Sequence, residues 1–129
     1  MNTVGIGVDI VENKRFKSLI NNKKFLIRTF GKNEILNSKN INNKTNYFSK
    51  RFAAKEALVK AIGTGFRNGL NFQDIQVANN NQGKPYYVKN KKLINFIKKK
   101  MKIKSFNLFL SISDEKEYSI AFTIVQKKW

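Results

Sequence analysis

Apolar residues alternate with small or polar ones at the start of the chain. Val4, Ile6, Val8 and Ile10 are interleaved with Gly5, Gly7 and Asp9. A period of two predicts a strand with one apolar face and one nearly bare face that carries Asp9. Glycine weakens a strand and marks close approach by a ligand or another backbone. Because both glycines share their face with an acid, the pattern favours a functional role for that face. The period then lengthens. Asn13 to Ile20 predicts a helix with Phe16, Leu19 and Ile20 inward and Lys14, Arg15 and Lys17 outward. A short helix over Lys24 to Phe30 stops at Gly31, and Asn33 suits the cap of a further turn through Glu34 to Leu36. Ser38 to Asn46 is polar and Asn-rich and reads as a surface loop.

The longest helical pattern runs from Tyr47 to Ile62 and ends at Gly63-Thr64-Gly65, with a loop over Arg67 to Asn71. Phe72 to Ala78 reads as a strand, Asn79 to Gly83 as a turn, and Lys84-Pro85-Tyr86-Tyr87-Val88 as the returning strand, with the single proline at its tolerated start. Lys91 to Lys102 is an amphipathic basic helix with Leu93, Ile94, Phe96, Ile97 and Met101 inward. Phe106, Leu108, Leu110 and Ile112 alternate as a strand, Asp114 to Glu117 turns, and Tyr118 to Val125 closes the chain. This order predicts an α+β domain with a largely antiparallel sheet. No repeat or linker divides the chain, so residues 1–129 read as a single domain.

Composition narrows the chemistry. Without cysteine there are no disulfides or thiolate metal sites, and without histidine the usual general base and zinc ligand are missing. Catalysis would rest on carboxylates, lysines, hydroxyls, backbone amides or a hard metal ion. The formal net charge of +18 favours polyanions: nucleic acid, phosphorylated cofactors or an acidic protein. No apolar stretch reaches the length of a membrane span, and the apolar start is short, lacks a basic region and is interrupted by Asp9. These features lead to the expectation of a cytoplasmic protein.

Only 8 residues are acidic. Glu12, Glu34, Asp74 and the turn from Asp114 to Glu117 sit at positions that read as surface. Asp9 and Glu56 differ, because each lies inside an apolar element. Glu56 and Lys60 are four apart and share a helix face that Ala53, Ala57 and Ala61 keep small, and Gly63-Thr64-Gly65 offers unobstructed backbone N–H groups. One reading brings Asp9 and Glu56 together around a divalent cation that bridges to a phosphate, with Lys60 meeting the phosphate oxygens. The other pairs Asp9 with a lysine and Glu56 with Lys60, without metal.

The segments Gly5-Ile-Gly-Val-Asp9-Ile, Arg15-Phe16, Phe25 with Arg28 and Glu34, Arg51-Phe-Ala-Ala-Lys-Glu-Ala-Leu-Val-Lys-Ala-Ile-Gly-Thr-Gly65, Phe72-Gln-Asp-Ile-Gln-Val and Gly83-Lys-Pro85 follow one another over nearly the whole chain. In that order they closely resemble the holo-[acyl-carrier-protein] synthases, the small single-domain class of 4'-phosphopantetheinyl transferases. The resemblance implies that family's α+β fold. It also implies transfer of 4'-phosphopantetheine from coenzyme A to a serine of apo acyl carrier protein, with release of adenosine 3',5'-bisphosphate, in support of fatty acid biosynthesis. Asp9 and Glu56 match the magnesium-binding acids, and Lys60 matches a lysine near the reacting phosphates. Arg51, Lys55, Gly63, Thr64, Gly83, Lys84 and Pro85 match positions around coenzyme A. Lys14, Arg15 and Lys17 match the basic surface that receives the carrier protein. The resemblance also implies a homotrimer with active sites at subunit boundaries, no membrane attachment and no specific nucleic-acid partner. Two departures from the family pattern are Phe109-Leu110-Ser111, where many relatives have a His-Val-Ser type strand, and Asp114 near the last hairpin. The proton of the attacking serine must leave through a carboxylate or a metal-bound water.

Overall fold

A computed structural model describes residues 2–63 and 69–128. Strand β1 (Asn2–Glu12) leads through a 3-10 turn (Asn13–Arg15) into α1 (Phe16–Leu19), followed by α2 (Lys23–Thr29), α3 (Lys32–Ser38) and the long α4 (Lys44–Ile62). A second 3-10 turn (Phe72–Asp74) precedes β2 (Val77–Asn79) and β3 (Pro85–Tyr87). Helix α5 (Lys91–Met101) and strands β4 (Phe106–Asp114) and β5 (Tyr118–Lys127) complete the domain. The strands form an antiparallel three-stranded sheet in the order β1-β5-β4 and a separate β2-β3 hairpin. The α+β expectation holds. Among the described residues no helix is long and apolar enough to cross a membrane.

Asparagine accounts for several helix starts. Asn22, Asn43 and Asn90 each accept a hydrogen bond from the backbone N–H three residues on, at 3.1, 3.1 and 2.9 Å. Each satisfies a donor that the first helical turn leaves open. The segment read as an Asn-rich loop therefore ends earlier than expected, because Asn43 caps α4 and the helix begins at Lys44. Gly31 rather than Asn33 starts α3: its N–H donates to Glu34 Oε1 at 2.9 Å. Only the end of the Phe72–Ala78 segment is extended. The Asp74 carboxylate accepts from the Asn71 N–H at 2.8 Å and holds the preceding residues in a turn.

Helix α4 lies against β1 and β5 on the face of the sheet that carries Gly5, Gly7 and Asp9. A methyl group built on Gly7 would stand 1.8 Å from the Ala57 carbonyl oxygen, and one on Gly5 would stand 2.1 Å from that of Ala61. The bare face of β1 is thus bare for a helix backbone and not for a ligand. Ala53, Ala57 and Ala61, all buried, supply the matching small surface on α4. The aromatic residues Phe16, Phe25, Phe30, Phe48 and Phe52 pack together beneath the short helices, with ring centroids 4.7 to 6.4 Å apart. The other sheet face, with Ile6, Val8, Ile10, Phe109, Ile120 and Phe122, is open to solvent, and Ile6 is 60% exposed.

A buried ion pair ties the helices to the β2-β3 hairpin. Lys55 Nζ donates to Glu34 Oε1 at 2.6 Å, to the Phe72 carbonyl at 3.0 Å and to the Ile75 carbonyl. Glu34 Oε2 accepts the Val77 N–H at 3.1 Å. Glu34 is therefore interior, not a surface acid as its sequence context suggested. Its charge is acceptable there because every oxygen has a donor.

The Gly7→Ala variant should lose roughly 3 kcal/mol of stability, since the strand must move away from a backbone carbonyl that cannot yield. Thermal unfolding checks this; a midpoint within a degree or two of the parent, about the scatter of surface substitutions, would show that the contact is loose.

Candidate active site

The close fit of β1 on α4 sets one acid from each element side by side. Asp9 points from the glycine face of β1, and Glu56 stands on α4 one turn before Lys60. Lys60 Nζ donates to Asp9 Oδ1 at 3.1 Å and to the Val8 carbonyl at 3.0 Å. The lysine that shares a helix face with Glu56 thus reaches across to the strand. Burial pushes the Glu56 carboxyl above its ordinary value of 4.5, and the charge of Asp9 pushes it the same way. Lys60 and Arg15 act in the opposite sense. Asp9, Glu56, Lys60 and Arg15 therefore form one electrostatic group drawn from β1, α4 and the turn after β1.

Two hard carboxylates beside a lysine suit a divalent, oxygen-loving cation. Such an ion would replace the Lys60 ammonium as the positive charge that allows both acids to ionise. Among the described residues no cluster of three His, Cys, Asp or Glu could hold a metal by itself. A pair is sufficient for magnesium when a substrate phosphate and water complete its shell.

Three of the residues expected around coenzyme A come together in a second cavity of about 400 Å³, lined by Arg51, Gly83 and Pro85 among others. The Arg51 guanidinium lies 3.7 Å above the Tyr47 ring centroid and donates to Asn79 Oδ1 at 2.6 Å. Its Nε–H is buried without a partner. A buried donor left open is costly, and an ordered water or an anionic ligand would satisfy it. Tyr47 and Asn79, which hold the arginine, carried no recognisable signal in the sequence. Tyr47 read only as the start of the long helix and Asn79 as one of a run of turn asparagines. Asp114 sits at the edge of this cavity and pairs with Lys50 at 3.8 Å.

The remaining expectations separate. Lys84 is exposed on the β2-β3 turn and borders the apolar sheet face near Phe109 and Phe122. Gly63 ends α4 in the left-handed region, φ 88°, with its N–H on the Val59 carbonyl at 2.9 Å. Thr64 lies outside the described residues. Lys55 does not fit a coenzyme A contact: it has no exposed surface, and its three N–H donors are all spent on Glu34, Phe72 and Ile75. The docking triad also divides. Arg15 faces the Glu56 group, whereas Lys14 and Lys17 line a separate cavity with Lys116 and Tyr118, and Lys14 pairs with Glu12 at 3.7 Å.

Comparison with known proteins agrees with this geometry. The family model of the 4'-phosphopantetheinyl transferase superfamily matches residues 5–123. A holo-[acyl-carrier-protein] synthase of Pelagibacter ubique is 57% identical over 99% of this chain and 100% of its own. The crystal structure of the holo-[acyl-carrier-protein] synthase from Neisseria meningitidis superposes with a TM-score of 0.86 at 34% identity, covering 98% of this chain and 100% of that one. A synthase structure from Bacillus anthracis, in complex with CoA (3',5'-ADP), gives a TM-score of 0.80 at 33% identity over 98% of each chain. The chain belongs to the 4'-phosphopantetheinyl transferase superfamily, and within it to the holo-[acyl-carrier-protein] synthases. It is a transferase, and the group it moves is 4'-phosphopantetheine.

Glu56 generates a pH prediction for the metal-free protein. Its folded form holds a proton more tightly than the unfolded chain, so the ionised side chain opposes folding above its folded pKa. That opposition fades as the pH falls through the folded value towards 4.5. Glu56→Gln should therefore raise stability at neutral pH and flatten the profile over that window. Urea unfolding in EDTA across the range reads this out; a variant less stable than the parent at neutral pH would contradict it.

Proposed function

We propose that Asp9, Glu56 and Lys60 carry out the family's reaction in this protein, with Asp9 and Glu56 holding a magnesium ion on the diphosphate of coenzyme A. The observation that carries this reading is the convergence of the two acids and Lys60 across the β1-α4 contact. The serine hydroxyl oxygen of apo acyl carrier protein attacks the pantetheine-side phosphorus. A new P–O bond forms, the bridging P–O bond breaks, and adenosine 3',5'-bisphosphate leaves. Bound magnesium would neutralise and align the diphosphate oxygens. Lys60 is placed to shift from Asp9 to the leaving phosphate and stabilise its charge. In a chain without histidine, the serine proton leaves through a carboxylate or a metal-bound water.

Arg51, together with Gly83 and Pro85, forms the wall for the nucleotide end of coenzyme A. Arg15, beside Glu56, links that chemistry to the carrier-docking surface, and Lys14 and Lys17 extend the surface outward. A basic surface captures an acidic carrier quickly through long-range steering.

The open apolar face of the β1-β5-β4 sheet supports a homotrimer with sites at the subunit boundaries. Apolar patches of this kind on a sheet are covered in stable assemblies. A cytoplasmic location and a role in fatty acid biosynthesis follow from the same family reading.

Intact-mass spectrometry of purified apo acyl carrier protein tests the reaction, after incubation with this protein, coenzyme A and magnesium. The carrier should gain one phosphopantetheine group, EDTA should prevent the gain, and Asp9→Asn or Glu56→Gln should reduce the rate by about a hundredfold or more. Full activity in either variant, with the fold intact, would remove the metal assignment. Sedimentation should give a trimer for the parent and smaller species for Ile6→Lys with Phe122→Glu; a monomeric parent would overturn the assembly.

A further inference from the structure

The transfer reaction leaves one strongly charged surface unused. Helix α5 buries Leu93 and Ile97 in the core and ends in Lys98, Lys99 and Lys100. Lys102 follows in the left-handed region, φ 55°, and Lys104 precedes β4. The Lys128 N–H donates to the Ser105 carbonyl at 2.9 Å, which brings the end of the chain beside Lys104. All six lysines are exposed, and among the described residues none is ion-paired. The helix dipole favours the three lysines in the last turn of α5, but it does not account for Lys102, Lys104 and Lys128, which lie outside the helix. Phe96, Lys99, Lys100 and Lys102 line a groove of about 450 Å³ on this surface.

We propose that this end of the molecule, centred on the groove beside Phe96, binds single-stranded nucleic acid without sequence preference. Three features favour that partner. Lysine ammoniums on flexible stems suit a phosphate chain, whereas the patch has no arginine fork for paired recognition of protein carboxylates. A half-buried phenylalanine flanked by lysines supplies a stacking surface beside backbone contacts. Leu93 and Ile97 of α5 are buried in the core, which leaves no broad apolar face on the helix to insert into a lipid surface. Like charges this close repel one another, and a polyanion relieves that repulsion. The surface is separate from Asp9, Glu56 and Lys60, and its role is independent of the phosphopantetheine reaction.

The test is fluorescence anisotropy of a labelled oligo(dT) of about 20 nucleotides, long enough to span such a site, titrated with the full-length protein over a range of salt. The triple variant Lys98→Gln, Lys99→Gln, Lys100→Gln is compared with a charge-matched control, Lys23→Gln, Lys24→Gln, Lys32→Gln, on α2 and α3. The α5 variant should bind at least about tenfold more weakly near 0.1 M salt, with the log–log salt slope shallower by about 2, since each single-strand phosphate contact contributes about 0.7. Phe96→Leu should weaken binding further while keeping the slope, and the control should stay within about twofold of the parent. Transfer of phosphopantetheine should be unchanged in the α5 variant. Equal weakening in both triple variants would reduce the effect to net charge and overturn the site. So would vesicles of anionic phospholipid that bind through Lys98–Lys100 while the oligonucleotide does not.

Discussion

The direct contact between the backbone of β1 and the backbone of α4 is the constraint on which the site depends. Gly5 and Gly7 let the strand approach the Ala57 and Ala61 carbonyls to a distance that no side chain permits. At that separation Asp9 lies within reach of Lys60 and close enough to raise the proton affinity of Glu56. Two acids brought together in a partly buried place repel unless a cation intervenes. The same packing that creates the core therefore creates a demand for positive charge at one point on its edge. Lys60, which donates to Asp9, supplies positive charge at that point.

The buried Lys55–Glu34 pair plays a complementary part. Its hydrogen bonds connect α3, α4, the second 3-10 turn and β2, which have little else in common. Burial lowers the proton affinity of Lys55, while Glu34 supports its charged form. Removing either partner would strand a charge in the interior, so the pair acts as a fixed strut that sets where the β2-β3 hairpin stands. The hairpin in turn delivers Gly83, Pro85 and Asn79 to the cavity beside Arg51. A lysine that the family resemblance matches to a ligand contact thus serves the cavity beside Arg51 at one remove, by holding the frame.

Charge and apolar surface are segregated over this small domain. The outer face of the β1-β5-β4 sheet is apolar and open. The Glu56 group and the Arg51 cavity lie along α4, and the lysines of α5 gather at the end where β4 begins and β5 finishes. With 26 basic and 8 acidic residues, most of the basic surface has no partner within the chain. In the proposed reaction, part of that positive field serves phosphates and an acidic carrier. The field beyond the site is available to other polyanions.

Much of this was legible in the sequence. Alternation and helical periodicity gave the elements and the α+β class, and the absence of histidine and cysteine confined the expected chemistry to carboxylates, lysines, hydroxyls, backbone amides or a hard metal. Asp9, Glu56 and Lys60 were identifiable because an acid or cation inside an apolar repeat breaks a local rule, and such breaks are visible one residue at a time. Other roles were not legible. The purpose of Gly5 and Gly7, the burial of Glu34, the saturation of Lys55 and the Tyr47–Asn79 hold on Arg51 depend on partners mostly 17 or more positions apart. So does the gathering of Lys104 and Lys128. The sequence determined the periodicity of the elements and which chemistry was possible, because periodicity and residue type are local properties. Only the tertiary structure decided which acid meets which lysine, because distance between remote segments is set by how closely their backbones pack.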